Sequence, residues 1–386
     1  MVSLRAKRGN PVKKSESGNN INRMRRVPKA DSGKYGRTIL LLFLVSLVFL
    51  LLVRFFPFRK GEALQRQMLQ AAEFMEEAVA AVKKCQMGKG LIPDRSSDPN
   101  QTGLIGLEHS PLTTSIGNLE AKRTTTNPNF AALVVLLLKE AGVGPGDGIV
   151  VGASSSFPAL IIAVQAAAKA LDLEPLMICS LGASQWGANR PDFHWLDMQN
   201  CLSDSGVFNF LPVALSLGGE GDTGEDMSPE GRAFLIEEME ASGIPFIQEP
   251  DLGRNVEARI QRFEESAGGK KIKAFINIGG SWANMGLDSS VLELKPGLSR
   301  IKQLPPREKR GVIFEMAERG IPVIHLLYIK GLVERYGLSW DPVPLPDPGR
   351  GGVYQLAREK QPGFLFFSAG YFLLAGLLLV FRKRLG

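Results

Sequence analysis

The stretch GIVVGASSSFPALIIAVQAAAKALDLEPLMICS, residues 148–180, decides the fold. Gly148–Gly152 is an apolar run too short for a helix. After a small polar turn, Pro158–Leu171 is almost wholly apolar and opens on a proline, which the first helical turn tolerates. Pro175–Ser180 is a second short apolar run. Strands without polar alternation, joined through a helix, belong to parallel sheets buried on both sides.

The alternation continues downstream. A helix is expected over Phe193–Ser205 after Asp192, then a strand over Pro212–Leu217. Ser228 caps a further helix with Pro229 at its first position and Gly243 at its end. Ile244–Gln248 reads as a strand, Asp251–Ala267 as a helix and Lys273–Ile278 as a strand. Arg307–Gly320, Pro322–Leu327 and Tyr328–Gly337 follow as helix, strand and helix. The fold class is therefore α/β: a Rossmann-like, mainly parallel sheet with helices on both faces, occupying residues 88–339.

Upstream, Leu64, Met68, Ala71, Met75, Val79 and Val82 recur at three- and four-residue spacing, one stripe of a stem helix over 61–87. Such a helix packs back on its own domain or meets a partner helix. The run from Gly88 to Asn127 is rich in Gly, Pro, Ser, Thr and Asn. A connection of this length within a domain is functional or disordered. Asn127-Pro128 then opens a helix that Gly142 ends.

Two longer apolar runs flank this body. Thr38–Val53 carries no charge, and Phe55-Phe56-Pro57-Phe58 extends it past Arg54, so residues 38–58 read as a transmembrane helix. Arg54, the aromatics and Arg59-Lys60 follow the run where a signal peptide needs small residues for cleavage, which favours an uncleaved anchor. Gly363–Phe381 is a second span with aromatics crowding its first half. The 386 residues have a net charge of +7, but residues 1–37 hold about 11 basic and 2 acidic side chains, and Arg382-Lys383-Arg384 ends the chain. The body between the spans is then about −6. That distribution removes the support for a nucleic-acid partner. It places the basic tail (1–37) and the basic end (382–386) in the cytoplasm, and the body outside a bacterial cell membrane. Residues 340–362, Pro-rich over Trp340–Pro348, read as an extended linker.

Three cysteines do not make a disulfide framework. Either all three are free and buried, or one bridge forms, for which Cys179–Cys201 is the closer pair.

In a parallel sheet, ligands bind at the carboxyl ends of strands. Four strand ends here run into small, polar residues: Gly152–Ser156, Ser180–Asn189, Gly218–Gly224 and Gly279–Asn284. The expected ligand-binding residues are Ser154, Ser155, Ser156, Ser184, Gln185, Asn189, Gly218, Gly219, Asp222, Asn277, Gly279 and Gly280. The serine turn also resembles an incomplete nucleophile elbow, with Ser154 as nucleophile and His325 on a late strand as its base. A helix cap is the plainer reading of those serines. Asp192, His194 and Asp197 offer metal-ligand types, but a helix start with a core-facing Trp195 is the better reading, given only three histidines in the chain. The acidic loop Glu220, Asp222, Glu225, Asp226 lacks the spacing of a calcium loop. No metal or cofactor is implied.

Several of these segments resemble one family. Thr126-Asn127-Pro128-Asn129-Phe130-Ala131-Ala132, Ser156-Phe157-Pro158-Ala159-Leu160, Ala183–Asn189 with Pro191-Asp192-Phe193 and Trp195–Met198, Ser216–Gly219, Asn277–Gly280 and Pro322–His325 are similar to the bacterial poly-γ-glutamate system protein family. The resemblance covers most of the body and the first span. It implies an accessory of poly-γ-glutamate capsule synthesis or export, working beside the membrane synthase complex, and it implies no catalytic residues. A hydrolase or transferase acting on the polymer is the alternative. The polymer is a polyanion and the body is acidic, so its hold requires a local site or bridging cations.

Overall fold

The computed structural model describes residues 32–55, 59–359 and 362–380. Most of the basic tail, residues 1–31, and the last residues, 381–386, lie outside the described residues, as do 56–58 and 360–361. The chain forms two compact units, 1–56 with 364–386, and 57–363.

The smaller unit holds the helices α1 (Ser32–Phe55) and α13 (Pro362–Val380). Ser46 Oγ and Tyr371 Oη lie 2.9 Å apart, and Phe49 stacks at 4.6 Å on the Tyr371 ring. Side chains are described only over 39–51 and 368–380 of the pair, where Phe43, Leu50, Phe372 and Val380 are exposed. Among the described residues, no helix is long and apolar enough to cross a membrane.

The body opens with α2 (Arg59–Gly88). Its stripe lies in the core, with Met68, Ala71, Met75, Ala78 and Val82 fully buried against α4 (Asn129–Ala141) and α5 (Pro158–Ala170). Between α2 and α4 runs the long connection, which carries the short helix α3 (Leu119–Thr125). The connection is ordered. Leu104, Ile105 and Leu112 are buried, and the Asp98 carboxylate accepts from Thr102 and the Gly103 N–H.

The main strands are β1 (Gly148–Ser154) and β2 (Pro175–Ser180), followed by a two-residue hairpin, β3 (Asn189–Arg190) and β4 (Phe193–His194). Then come β5 (Ala214–Ser216), β6 (Phe246–Ile247), β7 (Ile272–Ile278), β8 (Gly297–Ser299) and β9 (Val323–Leu326). The helices between them are α6 (Trp195–Asp204), α7 (Pro229–Ser242), α8 (Leu252–Ala267), α9 (Trp282–Met285) and α10 (Val312–Glu318), and α11 (Ile329–Tyr336) and α12 (Gly352–Glu359) follow β9. The sheet has the order β6-β5-β2-β1-β7-β9-β8, parallel except for β8, which runs antiparallel to β9. Successive side chains of a strand point to opposite faces. Ile149, Val151 and Ala153 of β1 accordingly join the core under α4 and α5. Val150 joins the second core, beneath Ile260 and Phe263 of α8 and Phe314 of α10. Helices cover both faces, as the continuous apolar strands required.

The strand order grows outward from β1 in both directions, through β2 on one side and β7 on the other. A cleft between diverging connections forms at such a reversal.

Several sequence expectations need correction. The disulfide is Cys85–Cys201, not Cys179–Cys201, and it fastens the end of α2 to α6. Cys179 faces the apolar core from the middle of the sheet, free and buried. The bridge closes a separation of 116 residues, which the chain-entropy view values at about 4–5 kcal/mol. The region taken as an extended linker contains α12, whose Val353 and Ala357 are buried. The helix expected over Arg307–Gly320 is only α10. Phe193 is strand rather than helix, and His194 caps α6 in a reciprocal box with Asp197. Trp195 is fully buried there.

Candidate functional site

The carboxyl ends of the strands surround a cleft of about 210 Å³. Ser154, Ser156 and Phe157 line it from the end of β1, with Ser180, Gly182 and Ser184 after β2 and Gly218 and Gly219 after β5. Gly280, Ser281 and Trp282 close the side after β7. The long connection completes the mouth with Thr114, Ser115 and Ile116, held on the β2 turn by Thr114 N–H donating to Ala183 O at 2.9 Å. Phe157, Trp282 and Leu327 add apolar surface to a wall otherwise made of hydroxyls and glycines.

The serine turn is a network rather than a helix cap. Ser156 N–H donates to Ser154 Oγ at 3.2 Å, and Ser154 Oγ donates to Ser156 Oγ at 3.0 Å. Ser156 Oγ also accepts from Ser184 N–H at 2.9 Å, joining the β1 and β2 turns. Helix α5 begins after Phe157 with no side-chain cap. The two turns are in direct contact at Gly187, where a Cβ would stand 2.8 Å from Ser156 Cα. Ser281, 8% exposed, has a buried Oγ with no hydrogen-bond partner among the described residues.

Beneath the serines lies Lys122, from α3. It is 3% exposed. Its Nζ donates to Ser156 O and to Ser184 Oγ, the latter at 2.7 Å, and sits 3.9 Å from the centre of the Phe157 ring. No carboxylate is bonded to it among the described residues. Burial pushes its ammonium pKa down to about 7, because the charged form loses its water and gains no counter-charge. The side chain therefore exchanges a proton near neutrality. Asp226 lies on the lip of the cleft, and partial burial raises its carboxyl pKa.

A second buried cation props the same end of the sheet. Arg259 Nη2 meets Asp222 Oδ2 at 2.6 Å, with both side chains almost fully buried. Asn255 Nδ2 donates to the same oxygen at 3.0 Å. Asp222 Oδ1 accepts from Ser216 Oγ at 2.9 Å and from the Gly218 N–H at 3.2 Å. This carboxylate holds the β5 turn from below and does not face the cleft.

The expected binding residues thus divide. Ser154, Ser156, Ser184, Gly218, Gly219 and Gly280 line the cleft. Ser155 is buried and donates to Ser180 O at 2.7 Å. Gln185 holds the rim, accepting from the Gly117 N–H and pairing with His109. Asn189 is fully buried, and its amide bonds both Leu107 N and Leu107 O at 2.8 Å. Asn277 and Gly279 lie on and just after β7, where Asn277 Nδ2 reaches Gly279 O at 2.8 Å and His325 Nδ1 at 3.0 Å. His325 is therefore bonded to an amide on the neighbouring strand, not to Ser154, and burial pushes its pKa down to about 4. Cys179 is inert as a nucleophile, since burial pushes its thiol up to about 12. Among the described residues, no group of acidic, histidine or cysteine side chains is arranged to hold a metal.

Lys122 escaped the sequence reading. Its one signal was position: a lysine two residues before a run of threonines, Thr124–Thr126, all of them buried. Comparison with protein-family models, with curated proteins and with solved structures finds no match.

Proposed function

We propose that this chain is a membrane-tethered accessory of poly-γ-glutamate synthesis or export, whose body lies outside a bacterial cell membrane and admits a short segment of the polymer to the strand-end cleft. The motif resemblance supplies the polymer. The observation that carries a binding role is the cleft at the strand-order reversal, where Ser281 holds a buried, unpartnered hydroxyl against it. A buried polar group without a partner costs stability, and a ligand that supplies the partner recovers it.

The address rests on three supports. The uncharged runs Thr38–Val53 and Gly363–Phe381 have, in the sequence, the length of an anchor at each end of the body, while no described helix is long and apolar enough to cross a membrane. Most of the basic residues beside those runs lie on the flanks that are cytoplasmic in this reading, with Arg54, Arg59 and Lys60 on the outer one. The Cys85–Cys201 bridge favours an oxidising compartment. A cleft of hydroxyls and glycines holds a polyanion loosely, which suits a factor that passes polymer on beside its synthase.

One observation favours chemistry on the polymer over passive holding, namely a lysine with neutral partners directly behind a cleft serine. Deleting the gene in its host tests the reading. Surface poly-γ-glutamate should fall several-fold or change in length, and restoration of the gene should reverse it. Normal polymer in amount and length would overturn the assignment. Protease added to intact spheroplasts should digest the body, and a body cut only after lysis would reverse the orientation.

A further inference from the structure

We propose that Ser184 and Lys122 form a nucleophile–base pair for acyl transfer, with a γ-linked glutamyl amide as the acyl donor. The choice of donor rests on the poly-γ-glutamate reading above; the pair itself does not.

The geometry separates Ser184 from the other serines. Ser184 lines the cleft that would hold the bound carbonyl. Its Oγ is 2.7 Å from Lys122 Nζ, inside the range required of a base that takes the nucleophile's proton. Among the described residues the Ser154 hydroxyl is hydrogen-bonded to Ser156 and to no base, and His325 is committed to Asn277 on β7. A neutral amine has two N–H bonds and one lone pair. In the charged amine both Ser156 O and Ser184 Oγ accept from Nζ; once the proton is lost, one N–H still holds Ser156 O, and the bond to Ser184 can reverse so that its hydroxyl donates to the lone pair. Burial that removes the counter-charge keeps that lone pair available close to neutral pH.

The step balances with groups at hand. Ser184 Oγ attacks the amide carbonyl carbon and its proton passes to Lys122 Nζ. The C–N bond breaks as Lys122 returns that proton to the departing amine, leaving the acyl group as an ester on Ser184. Water, or the amine of a second chain, then attacks the ester. Lys122 takes the proton of that nucleophile and gives it back to Ser184 Oγ as the C–O bond breaks. Water gives cleavage of the polymer, and an amine gives its transfer.

Sequence alone hides this pair, because the two residues are 62 positions apart and Lys122 lies in the stretch least like regular structure. Serine–lysine pairs of this type occur on unrelated folds, so the argument depends on the local geometry and not on the sheet.

The test uses the full chain in detergent micelles with diisopropyl fluorophosphate, followed by digestion and mass spectrometry. One adduct is expected, on Ser184, forming at least about 10-fold faster at pH 8.5 than at pH 5.5. S184A should abolish it, and K122M should slow labelling at Ser184 by about 100-fold. No adduct on the folded protein, an adduct on Ser154 instead, or a Ser184 rate indifferent to pH would overturn the pair. Should K122M fail to fold, the pH profile of the unaltered protein decides. The two readings fail separately. Labelling of Ser184 with normal polymer after gene deletion removes the polymer and keeps the pair. Loss of polymer with an unreactive Ser184 removes the pair and keeps the accessory role.

Discussion

Two cations are buried at the same end of this sheet, and they are treated oppositely. Arg259, 1% exposed, is met by the Asp222 carboxylate, by Asn255 and by Ser216, so its charge is compensated where it stands. Lys122, 3% exposed, is met by a carbonyl, a hydroxyl and the face of a ring. Isolated charge in a protein interior is expensive, and a lysine escapes the expense by giving up its proton, which an arginine cannot do. The Arg259 cluster is thus built as a prop that holds the β5 turn in place. The Lys122 cluster is built as a proton acceptor. Burial alone does not distinguish a structural cation from a reactive one; the charge of its neighbours does.

The largest expected effect breaks the comparison or keeps it. R259M leaves the Asp222 carboxylate buried without a counter-charge and should cost ~3–5 kcal/mol in urea unfolding. K122M removes a side chain that can shed its charge near neutral pH, and should cost no more than about 1–2 kcal/mol, for the bonds lost at Ser156 and Ser184. Equal losses would show that both cations are structural props.

A smaller effect sharpens the same contrast through pH. Lys122 has a folded pKa of about 7, below its ordinary value of 10.5. Between those values the unfolded chain holds a proton that the folded chain has released, so stability rises with pH. The rise should be about 1 kcal/mol per pH unit, or ~3 kcal/mol from pH 7 to 10. It should vanish in K122M and survive in R259M. A flat profile in the unaltered body would mean that Lys122 is charged and compensated.

The sheet was legible in the residues because parallel strands covered on both sides are largely apolar, as β1, β2 and the Ala274–Ile276 centre of β7 are. The edge was not. β8 has three residues and no apolar run, and antiparallel pairing at an edge leaves little trace in so short a segment. The cleft was legible in its glycines and serines, since backbone that approaches a ligand favours small residues. Its supports were misassigned for a physical reason. Asn189, Asp222 and Asn277 are polar residues at strand ends, and a polar residue there bonds a neighbouring turn as readily as a ligand. Pairing Cys179 with Cys201 followed their closeness in sequence, whereas α2 folds back across the helical face and brings Cys85 to α6. The long connection showed its length but not its contents. α3 has seven residues, and its signals are Asn118 as N-cap and Glu120 in the first turn. Nothing in those residues says that the following lysine points beneath the serine turn.

The central claim is that Lys122 is a base held ready beside Ser184, and its own titration tests this most directly. In protein labelled with ¹³C at lysine Cε, the resonance that K122M removes identifies Lys122. That resonance should titrate with a midpoint near 7, well below the ordinary lysine value of 10.5. A midpoint near 10 for Lys122 would mean a permanently charged ammonium, and would contradict the account.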